Sequence, residues 1–418
     1  MNATWKMLII RTSRRLWFRS TLYGSFGVAS ALLGAVAKPL IPSGIAAQIG
    51  ASAVGNILGI LASSMLAVTT FSLSTMVAAY AAASNNATPR ASTLLIEDSG
   101  SQRALASFIG AFLFSIVGLI ALSTGIYGDS GRLILFAATI VMIVVIVVTL
   151  LRWIDQISRL GRVSETIDRV ERATREAMQK LARAPRLHAM PYAKPPPDAA
   201  RLGSKHIGYI TNIDIPRLQD IAEAADIQIW AEVSAGSFIT PDQVVARLSR
   251  EVDQDTALKL ADAFVVEDLR NFDQDPRFGL VVLTEIAQRA LSPAINDPGT
   301  AIDILGTVTR LLCGWARARQ QCAPEEVRHP RIHVRALDER DCFEDVYAPL
   351  SRDSAGMLEV AIRLHKSLAT LAQLGYPAYR GPAVEYADRA LQLSAEALPL
   401  QVDQQRLVEL AAWHKHTP

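Results

Sequence analysis

Residues 133–151 read LILFAATIVMIVVIVVTLL, a run of nineteen residues without a charged side chain that is closed by Arg152 and Trp153. A helix of that length covers about 28 Å, close to the hydrocarbon thickness of a bilayer. Three further uncharged runs precede it, at 20–37, 39–89 and 104–128. We therefore expect a polytopic α-helical membrane protein with four transmembrane helices in residues 20–152.

The rest of the chain has the composition of a water-soluble protein. The whole chain is 50% hydrophobic and 20% charged with a net charge of +2, and these averages hide the division between the uncharged runs and residues 153–418. The second uncharged run is too long for one crossing and is predicted to turn near Pro42 and Gly44. A helix over about 53–83 then follows, which would reach about 46 Å and must tilt, kink or project beyond the bilayer.

Basic residues flank the predicted spans. Residues 1–19 form a basic arm without an acid, and further basic side chains follow the fourth span; together they are Lys6, Arg11, Arg14, Arg15, Arg19, Arg152, Arg159 and Arg162. The positive-inside rule predicts that both termini are cytoplasmic. An alternative interpretation makes the first span a cleaved signal peptide, because Ala35-Val36-Ala37 fits a cleavage site. Three remaining spans would still leave the C-terminal part in the cytoplasm.

One face of the second span is small or polar. Its members recur at three- or four-residue steps and include Asn56, Gly59, Ser63, Thr70 and Ser74. One interpretation is helix packing, since small residues let backbones approach and hydroxyls can bond to their own helix. The other is the lining of a water-filled path in an oligomer. Asp, Glu, Lys and Arg are absent from all four spans, which argues against proton coupling and voltage sensing.

The fourth span is predicted to continue as a soluble helix over residues 153–184. Apolar and small residues there alternate three- and four-residue steps, at Leu160, Val163, Ile167, Val170, Thr174, Ala177 and Leu181. Such a heptad seam predicts a partner helix. The partner is either the same helix of a second subunit or another part of this chain. A homo-oligomer formed through the second span and residues 160–181 is one expectation.

A proline-rich stretch separates this helix from the next part of the chain. Prolines at 185, 191 and 195–197 predict a linker over 185–204. A small β-rich unit is predicted at 205–250, and it resembles the hammerhead of biotinyl and lipoyl carrier domains. Carriers need a lysine on an exposed hairpin, but no lysine lies between Lys205 and Lys259. A binding or packing module is therefore favoured over a carrier.

Residues 251–418 are predicted to form a mainly α-helical domain. Two of its helices begin alike, because Asp275-Pro276 and Asp297-Pro298 each place a capping carboxylate before a proline at the first helical position. Ser292-Pro293 ends the intervening helix, so that 290–297 forms a compact corner. Asn296 is available there to bond exposed backbone groups.

These residues carry a resemblance to a known family. The stretches DQDPRFG at 273–279 and IAQRALSPAINDP at 286–298 look like the signature of a bacterial membrane-protein family, domain of unknown function 2254. The signature residues in this chain are Asp275, Pro276, Gly279, Arg289, Ser292, Pro293, Asn296, Asp297 and Pro298. The resemblance covers most of the chain and implies a multi-pass protein of the bacterial inner membrane. It implies no particular activity.

Few residues point to catalysis or to a cofactor. Asp273, Asp275 and Asp297 supply oxygen ligands that suit a divalent cation, but caps and loop geometry explain them without one. The sequence has no phosphate loop, dinucleotide-binding turn, zinc-protease motif or nucleophile elbow. The three cysteines, Cys313, Cys322 and Cys342, form no Cys-x-x-Cys pair, as expected in a reducing compartment. We therefore expect no enzymatic activity and no cofactor. We also expect no nucleic-acid binding, because the basic arm suits contact with anionic lipid.

Three functional hypotheses follow from these patterns. The leading one is an oligomeric channel or transport-related membrane protein that is regulated by its cytoplasmic domains. The alternative is a membrane-anchored sensor or scaffold that binds a cytoplasmic protein partner. The third is a membrane-associated metal-dependent enzyme, which requires Asp273, Asp275 and Asp297 to bind a metal.

Overall fold

The chain divides into two compact units, Met1–Thr166 and Ile167–Pro418, and each is described by itself. The structure is a computed structural model that describes residues 51–96, 99–124, 128–159 and 161–415, together with isolated helical positions between 18 and 29. The first unit is helical. The second unit combines two small sheets with a set of packed helices.

Four helices make up the described part of the first unit: α1 (Ala51–Asn86), α2 (Pro89–Ile96), α3 (Ser99–Ser123) and α4 (Gly128–Arg159). Three segments are long and apolar enough to cross a membrane, namely Ser52–Ala82, Gly100–Ser123 and Gly131–Arg159. They correspond to the predicted second, third and fourth spans. The basic arm at 1–19, the first span at 20–37 and the turn near Pro42 lie outside the described residues, apart from the isolated positions. The count of four spans therefore stays a prediction.

Buried polar side chains of the first unit include Trp153 and Thr139, which bond to other groups of this unit. Helix α1 packs against α3, and α3 packs against α4. The indole nitrogen of Trp153, a side chain only 2% exposed, donates to the hydroxyl of Ser72 at 2.8 Å. The buried hydroxyl of Thr139 donates to the carbonyl of Leu135 in its own helix at 2.7 Å. Internal pairing of this kind is what a hydrocarbon environment requires, because lipid tails offer no hydrogen bonds.

The prediction of one continuous helix from the fourth span through residues 153–184 is wrong. Helix α4 ends at Arg159, and the next helix begins at Val163. Between them Gly161 has a φ of +84°, a left-handed conformation that an α-helix cannot contain and that glycine adopts at little cost. Apolar periodicity continues across this break, which is why the sequence pattern does not reveal it.

The second unit contains eight strands in two sheets. They are β1 (Ala189–Pro191), β2 (Ala200–Gly203), β3 (Gly208–Ile213), β4 (Ile229–Ala231), β5 (Phe238–Ile239), β6 (Val244–Leu248), β7 (Phe264–Glu267) and β8 (His329–Val334). The larger sheet has the order β1-β8-β4-β6-β2, and the smaller has the order β5-β3-β7. Strands β1 and β4 pair with β8 in parallel, and the other pairs are antiparallel.

Two predictions about this region need correction. The stretch predicted as a linker, 185–204, contains β1 and β2, both of which are paired in the larger sheet. The predicted β-rich unit, 205–250, omits β1, β2, β7 and β8. Local periodicity misses these strands because three of them are only three or four residues long and β8 lies far along the chain from its partners. The likeness to a hammerhead remains unconfirmed.

The helices of the second unit are α5 (Val163–Arg183), α6 (Ile215–Ala224), α7 (Gln254–Ala261), α8 (Pro276–Leu291), α9 (Pro298–Gln321), α10 (Glu339–Asp353), α11 (Leu358–Ala372), α12 (Pro377–Ala397) and α13 (Gln401–Ala411). A short 3-10 helix, Ala412–Lys415, follows α13. Helices α6 and α7 contribute Leu218 and Leu260 to the core that also buries the inner faces of the sheets. Beyond Asp268, β8 is the one strand among the described residues, so this part is mainly helical as predicted.

The heptad seam of α5 is buried within the same chain. Val170 and Thr174 are fully buried. A Cβ atom placed on Gly279 of α8 would overlap the hydroxyl of Thr174, so the two helix backbones are close there. Glu171 pairs with Arg310 of α9 at 2.9 Å. These contacts favour the interpretation in which the partner of this helix is another part of the chain.

Candidate functional sites in the membrane helices and the signature corner

The small polar face of α1 is open in the structure. Asn56, Ser63, Thr70 and Ser74 are exposed, and nothing lies within 4 Å of a Cβ atom placed on Gly59. At about 100° per residue these positions share one side of the helix. The opposite side packs into the unit through its buried residues Val54, Leu58, Leu61, Met65, Ser72 and Met76. The predicted face is therefore not used for packing against α3 or α4.

Large apolar side chains border this face on both sides. Leu66 and Val77 lie along one border and are 53% and 60% exposed. Ile60 and Phe71 lie along the other and are 68% and 67% exposed. Because the residues between the borders are small, the open side of α1 has the form of a shallow groove between two apolar ridges. This shape accepts the ridge of another helix.

The hydroxyl groups of Ser63 and Thr70 in the groove are bonded to their own helix. Ser63 donates to the carbonyls of Gly59 at 3.1 Å and Ile60 at 3.0 Å. Thr70 donates to the carbonyl of Leu66 at 3.0 Å. The donor protons are therefore satisfied without water or a second protein. The oxygens keep lone pairs that can face a neighbouring helix or a water-filled path.

A second candidate site lies at the start of α8, where Asp275 is the N-cap. Its Oδ1 accepts a bond from the backbone nitrogen of Phe278 at 3.1 Å, and its Oδ2 accepts one from Arg270 Nε at 2.7 Å. Gly236 lies against the same carboxylate with a φ of +91°, and a Cβ atom there would overlap it. Burial raises the pKa of Asp275, against the opposing effect of Arg270. This carboxylate is enclosed by protein and is not available to a ligand.

The neighbouring signature residues hold helices together. Arg277 forms two hydrogen bonds to Asp345, at 2.7 and 3.0 Å, and also pairs with Asp341, so that α8 is tied to α10. Gly279 provides the close approach to Thr174 of α5. Asp273 belongs to a local turn, in which its backbone nitrogen donates to Asn271 Oδ1 at 3.0 Å. These positions have structural partners within the second unit.

The corner between α8 and α9 is exposed, and local hydrogen bonds fix its backbone. Ser292 caps the end of α8 by donating its hydroxyl to the carbonyl of Arg289 at 2.6 Å. Asn296 has a φ of +51°, and its nitrogen donates to the carbonyl of Ser292 at 2.9 Å. Asp297 accepts bonds from Thr300, from the nitrogen at 3.1 Å and from the hydroxyl at 2.6 Å. The hydroxyl bond is the main reason that the pKa of Asp297 is lowered.

The corner presents two features to solvent. Ile295 is 44% exposed, and Pro293 beside it is exposed as well. The guanidinium of Arg289 is exposed and has no hydrogen-bond or ion-pair partner among the residues that the structure describes. An exposed apolar side chain and an exposed unpaired cation in one region are a chemical basis for contact with another molecule.

The three aspartates proposed as metal ligands have separate roles. Asp275 caps α8 and pairs with Arg270, Asp297 caps α9, and Asp273 lies in a turn. In the described ranges no three His, Cys, Asp or Glu side chains are grouped in a way that could hold a metal ion. The structure thus does not bring these aspartates together.

Residues 13–370 match the family described as predicted membrane protein, domain of unknown function 2254. The chain belongs to this family. Membership agrees with the resemblance carried by the residues of the α8–α9 region and with the three apolar helices of the first unit. The chain is accordingly a membrane protein of the domain of unknown function 2254 family.

Relatives of this member of the family occur in mycobacteria. An uncharacterized protein of Mycobacterium bovis and one of Mycobacterium tuberculosis are each 30% identical to it over 146 residues. The match covers 33% of this chain and 27% of each relative, so it spans about a quarter of their length. No solved structure matches the chain.

Sequence patterns missed several contacts of this family member that the structure shows. Arg277 and Asp345 are separated by 68 positions, and Glu171 and Arg310 by 139. Burial alone would raise the pKa of Glu171, but the bonds and charges of Arg310 and Arg175 outweigh it and lower the pKa. Such pairs have no local signal. Glu171 directly follows the seam residue Val170, and its charge alone did not indicate which basic residue it pairs with.

Proposed function

We propose that this chain is a non-enzymatic membrane protein that assembles with copies of itself into a channel or transport-related oligomer. The observation that carries the proposal is the open groove on α1, which runs from Asn56 past Ser74 on the side away from α3 and α4. In a membrane, helices associate through close packing of small residues. Lipid is as apolar as the side chains, so the hydrophobic effect does not drive the helices together.

The bordering ridges support a helix as the occupant of this groove. Ile60 and Phe71 on one side and Leu66 and Val77 on the other suit contact with lipid or with the flanks of a second helix. The α1 helix of a second copy has the same groove and ridges, so two or more copies can pack with matching surfaces. Small residues between the ridges allow a short distance between the backbones.

The chemistry of the groove suits an uncharged path. α1 has no acidic residue in its first turn and no basic residue in its last, and its sequence contains no charged side chain. With several copies around an axis, the oxygens of Ser63, Thr70 and Ser74 would supply polar contacts to water along it. This arrangement supports passage of water, small neutral solutes or weakly selected ions over voltage sensing or proton coupling.

A membrane-anchored sensor or scaffold is the second candidate. Its support is the exposed corner, because the signature region presents the apolar Ile295 and the unpaired Arg289 to solvent. Loops that carry exposed apolar and charged groups on rigid helices are common sites of partner binding. In this case deletion of the second unit would abolish capture of the partner by the membrane protein.

The test is flux through purified protein in liposomes. We expect the wild-type chain to pass a small solute or ion, and Thr70→Leu, which fills the groove, to reduce the flux at least several-fold while the protein stays folded. Val144→Leu is the matched control, because Val144 is 57% exposed on α4, away from the groove. The proposal fails if the wild-type protein is monomeric in lipid and passes nothing, or if both variants behave alike.

A further inference from the structure

The outer face of the larger sheet carries a row of cationic and aromatic side chains. Arg201 of β2 lies directly opposite Arg247 of β6. Arg247 lies opposite Trp230 of β4, and Trp230 lies opposite His333 of β8. Directly opposed residues in a sheet point to the same face, so these four side chains form one row across four strands.

The pairing of Arg201 with Arg247 is unfavourable for the sheet itself. Two like charges directly opposite each other on neighbouring strands repel at close range and destabilise the pair. Arg201 is exposed, and no other residue described in the structure forms an ion pair or hydrogen bond with its guanidinium. Glu232 offsets the charge of Arg247 only, so Arg201 keeps an uncompensated charge, and such a departure from local preference is expected at functional sites.

The carboxylate of Glu232 holds two arginines of this face, Arg247 and Arg335, in fixed positions. Glu232 accepts bonds from Arg247 Nε at 3.1 Å and from Arg335 Nη2 at 3.1 Å, and from the hydroxyl of Tyr192 at 2.9 Å. Arg335 also lies over the ring of Tyr192, with 3.9 Å from its Cζ to the ring centroid. The two guanidiniums are therefore held in place before any ligand arrives, which lowers the entropic cost of binding.

The same face has more donors than acceptors. Glu232 pairs with Arg247 and Arg335, and Arg201 has no carboxylate partner, so these three arginines and one carboxylate carry a surplus of two positive charges. Trp230 is 7% exposed and stacks on His333 with 5.1 Å between ring centroids. Its buried indole N–H has no acceptor among the described residues. Burial of an unpaired donor costs free energy unless something supplies an acceptor.

We propose that Arg201, Arg247 and Trp230 of this row bind a phosphate dianion, either free or as the monoester group of a small molecule or lipid. Phosphate carries about −1.5 to −2 charges near pH 7. This charge balances the surplus positive charge of the face more completely than a ligand with one carboxylate would. Planar guanidiniums bind phosphate oxygens through paired hydrogen bonds. Relief of the repulsion between Arg201 and Arg247 adds to the affinity.

The experiment titrates the purified full-length protein in detergent with inorganic phosphate and with dioctanoyl phosphatidic acid, and follows binding by calorimetry. Potassium chloride of equal ionic strength and potassium acetate are the reference anions. We expect saturable binding of at least one phosphate ligand, weakened about tenfold or more in Arg201→Gln and in Arg247→Gln, because each loses a charge-assisted hydrogen bond. Arg389→Gln, an exposed arginine on α12, should bind as the wild type does.

The two ligands separate the sources of the phosphate group. Binding of inorganic phosphate indicates a soluble ligand. If only phosphatidic acid binds, and its binding depends on Arg201, the ligand is a lipid headgroup. Both outcomes support the site. Equal responses to phosphate, acetate and chloride would overturn it, as would equal binding by the wild type and Arg201→Gln. Arg201 is exposed, so its variant is expected to fold, and an unchanged melting temperature without ligand verifies this.

Discussion

The contact between α5 and α8 allows a quantitative prediction for Gly279→Ala. A new Cβ atom would overlap the hydroxyl of Thr174 and would lie 2.7 Å from its Cβ and 2.8 Å from its Cγ2. Ordinary contacts between carbon atoms are about 3.5–4.0 Å, so the helices must move apart by roughly an ångström. Overpacking of this kind costs about 1–3 kcal/mol.

The helix propensity of alanine offsets part of this cost. Replacement of glycine inside a helix gains about 0.5–1 kcal/mol, which leaves a net loss of up to about 2.5 kcal/mol. For a unit of this size the loss corresponds to a melting temperature lower by up to about 10 °C. Gly314→Ala is the matched control, because nothing lies within 4 Å of a Cβ atom at that helical position. It should raise the melting temperature slightly.

The measurement is thermal unfolding of the full-length protein in detergent, followed by tryptophan fluorescence. A double variant with Thr174→Gly removes the overlapping atoms, and the two substitutions should then be non-additive, with Gly279→Ala losing its cost in that background. The close packing of α5 on α8 would be refuted if Gly279→Ala were as stable as Gly314→Ala, or if the two substitutions were simply additive.

Three further predictions concern other local features. Trp153→Phe removes the bond to Ser72 and should lower the free energy of unfolding by about 1–2 kcal/mol. Ser72→Ala should cause no further loss in the Trp153→Phe background, as measured by unfolding of the single and double variants. Additive losses would argue against the bond. Gly161→Ala places a Cβ atom on a residue with a φ of +84° and should lower stability by about 1 kcal/mol, whereas an unchanged melting temperature would indicate a continuous helix. Asp297→Ala should cost about 1 kcal/mol near pH 7, and Asp297→Asn much less. The pKa of Asp297 is lower in the folded state, so its stabilising effect depends on pH. The difference in free energy of unfolding between the wild type and Asp297→Ala should have its full value above about pH 4, the ordinary pKa of aspartate, and should shrink as the pH falls further. A difference in unfolding free energy that grows in acid would contradict this.

Local patterns predicted the parts of the structure that depend on neighbouring residues. The caps at Asp275 and Asp297 are confirmed, with bonds to the nitrogens of Phe278 and Thr300, because a cap needs only residues three positions apart. Asn296 lies in the left-handed conformation that its corner requires. The second, third and fourth apolar runs each form a helix long enough to cross a membrane.

Distant pairings were beyond those patterns. Strand β8 joins β4 across about a hundred residues, and its six residues give no sign of which strands they pair with. Short strands such as β1 leave too few residues for an alternating pattern, so a proline-rich stretch was predicted as a linker. The break at Gly161 was missed because glycine is also tolerated inside helices. Its positive φ is a property of the folded chain.

We propose that copies of this chain contact one another through the groove of α1. The most direct measurement is disulfide cross-linking in native membranes of Thr70→Cys, with Val144→Cys and the wild type, which retains Cys313, Cys322 and Cys342, as controls. We expect a cross-linked oligomer for Thr70→Cys that is absent from both controls. An equal or absent cross-link in all three proteins would show that the groove faces lipid or another molecule, and would contradict the claim.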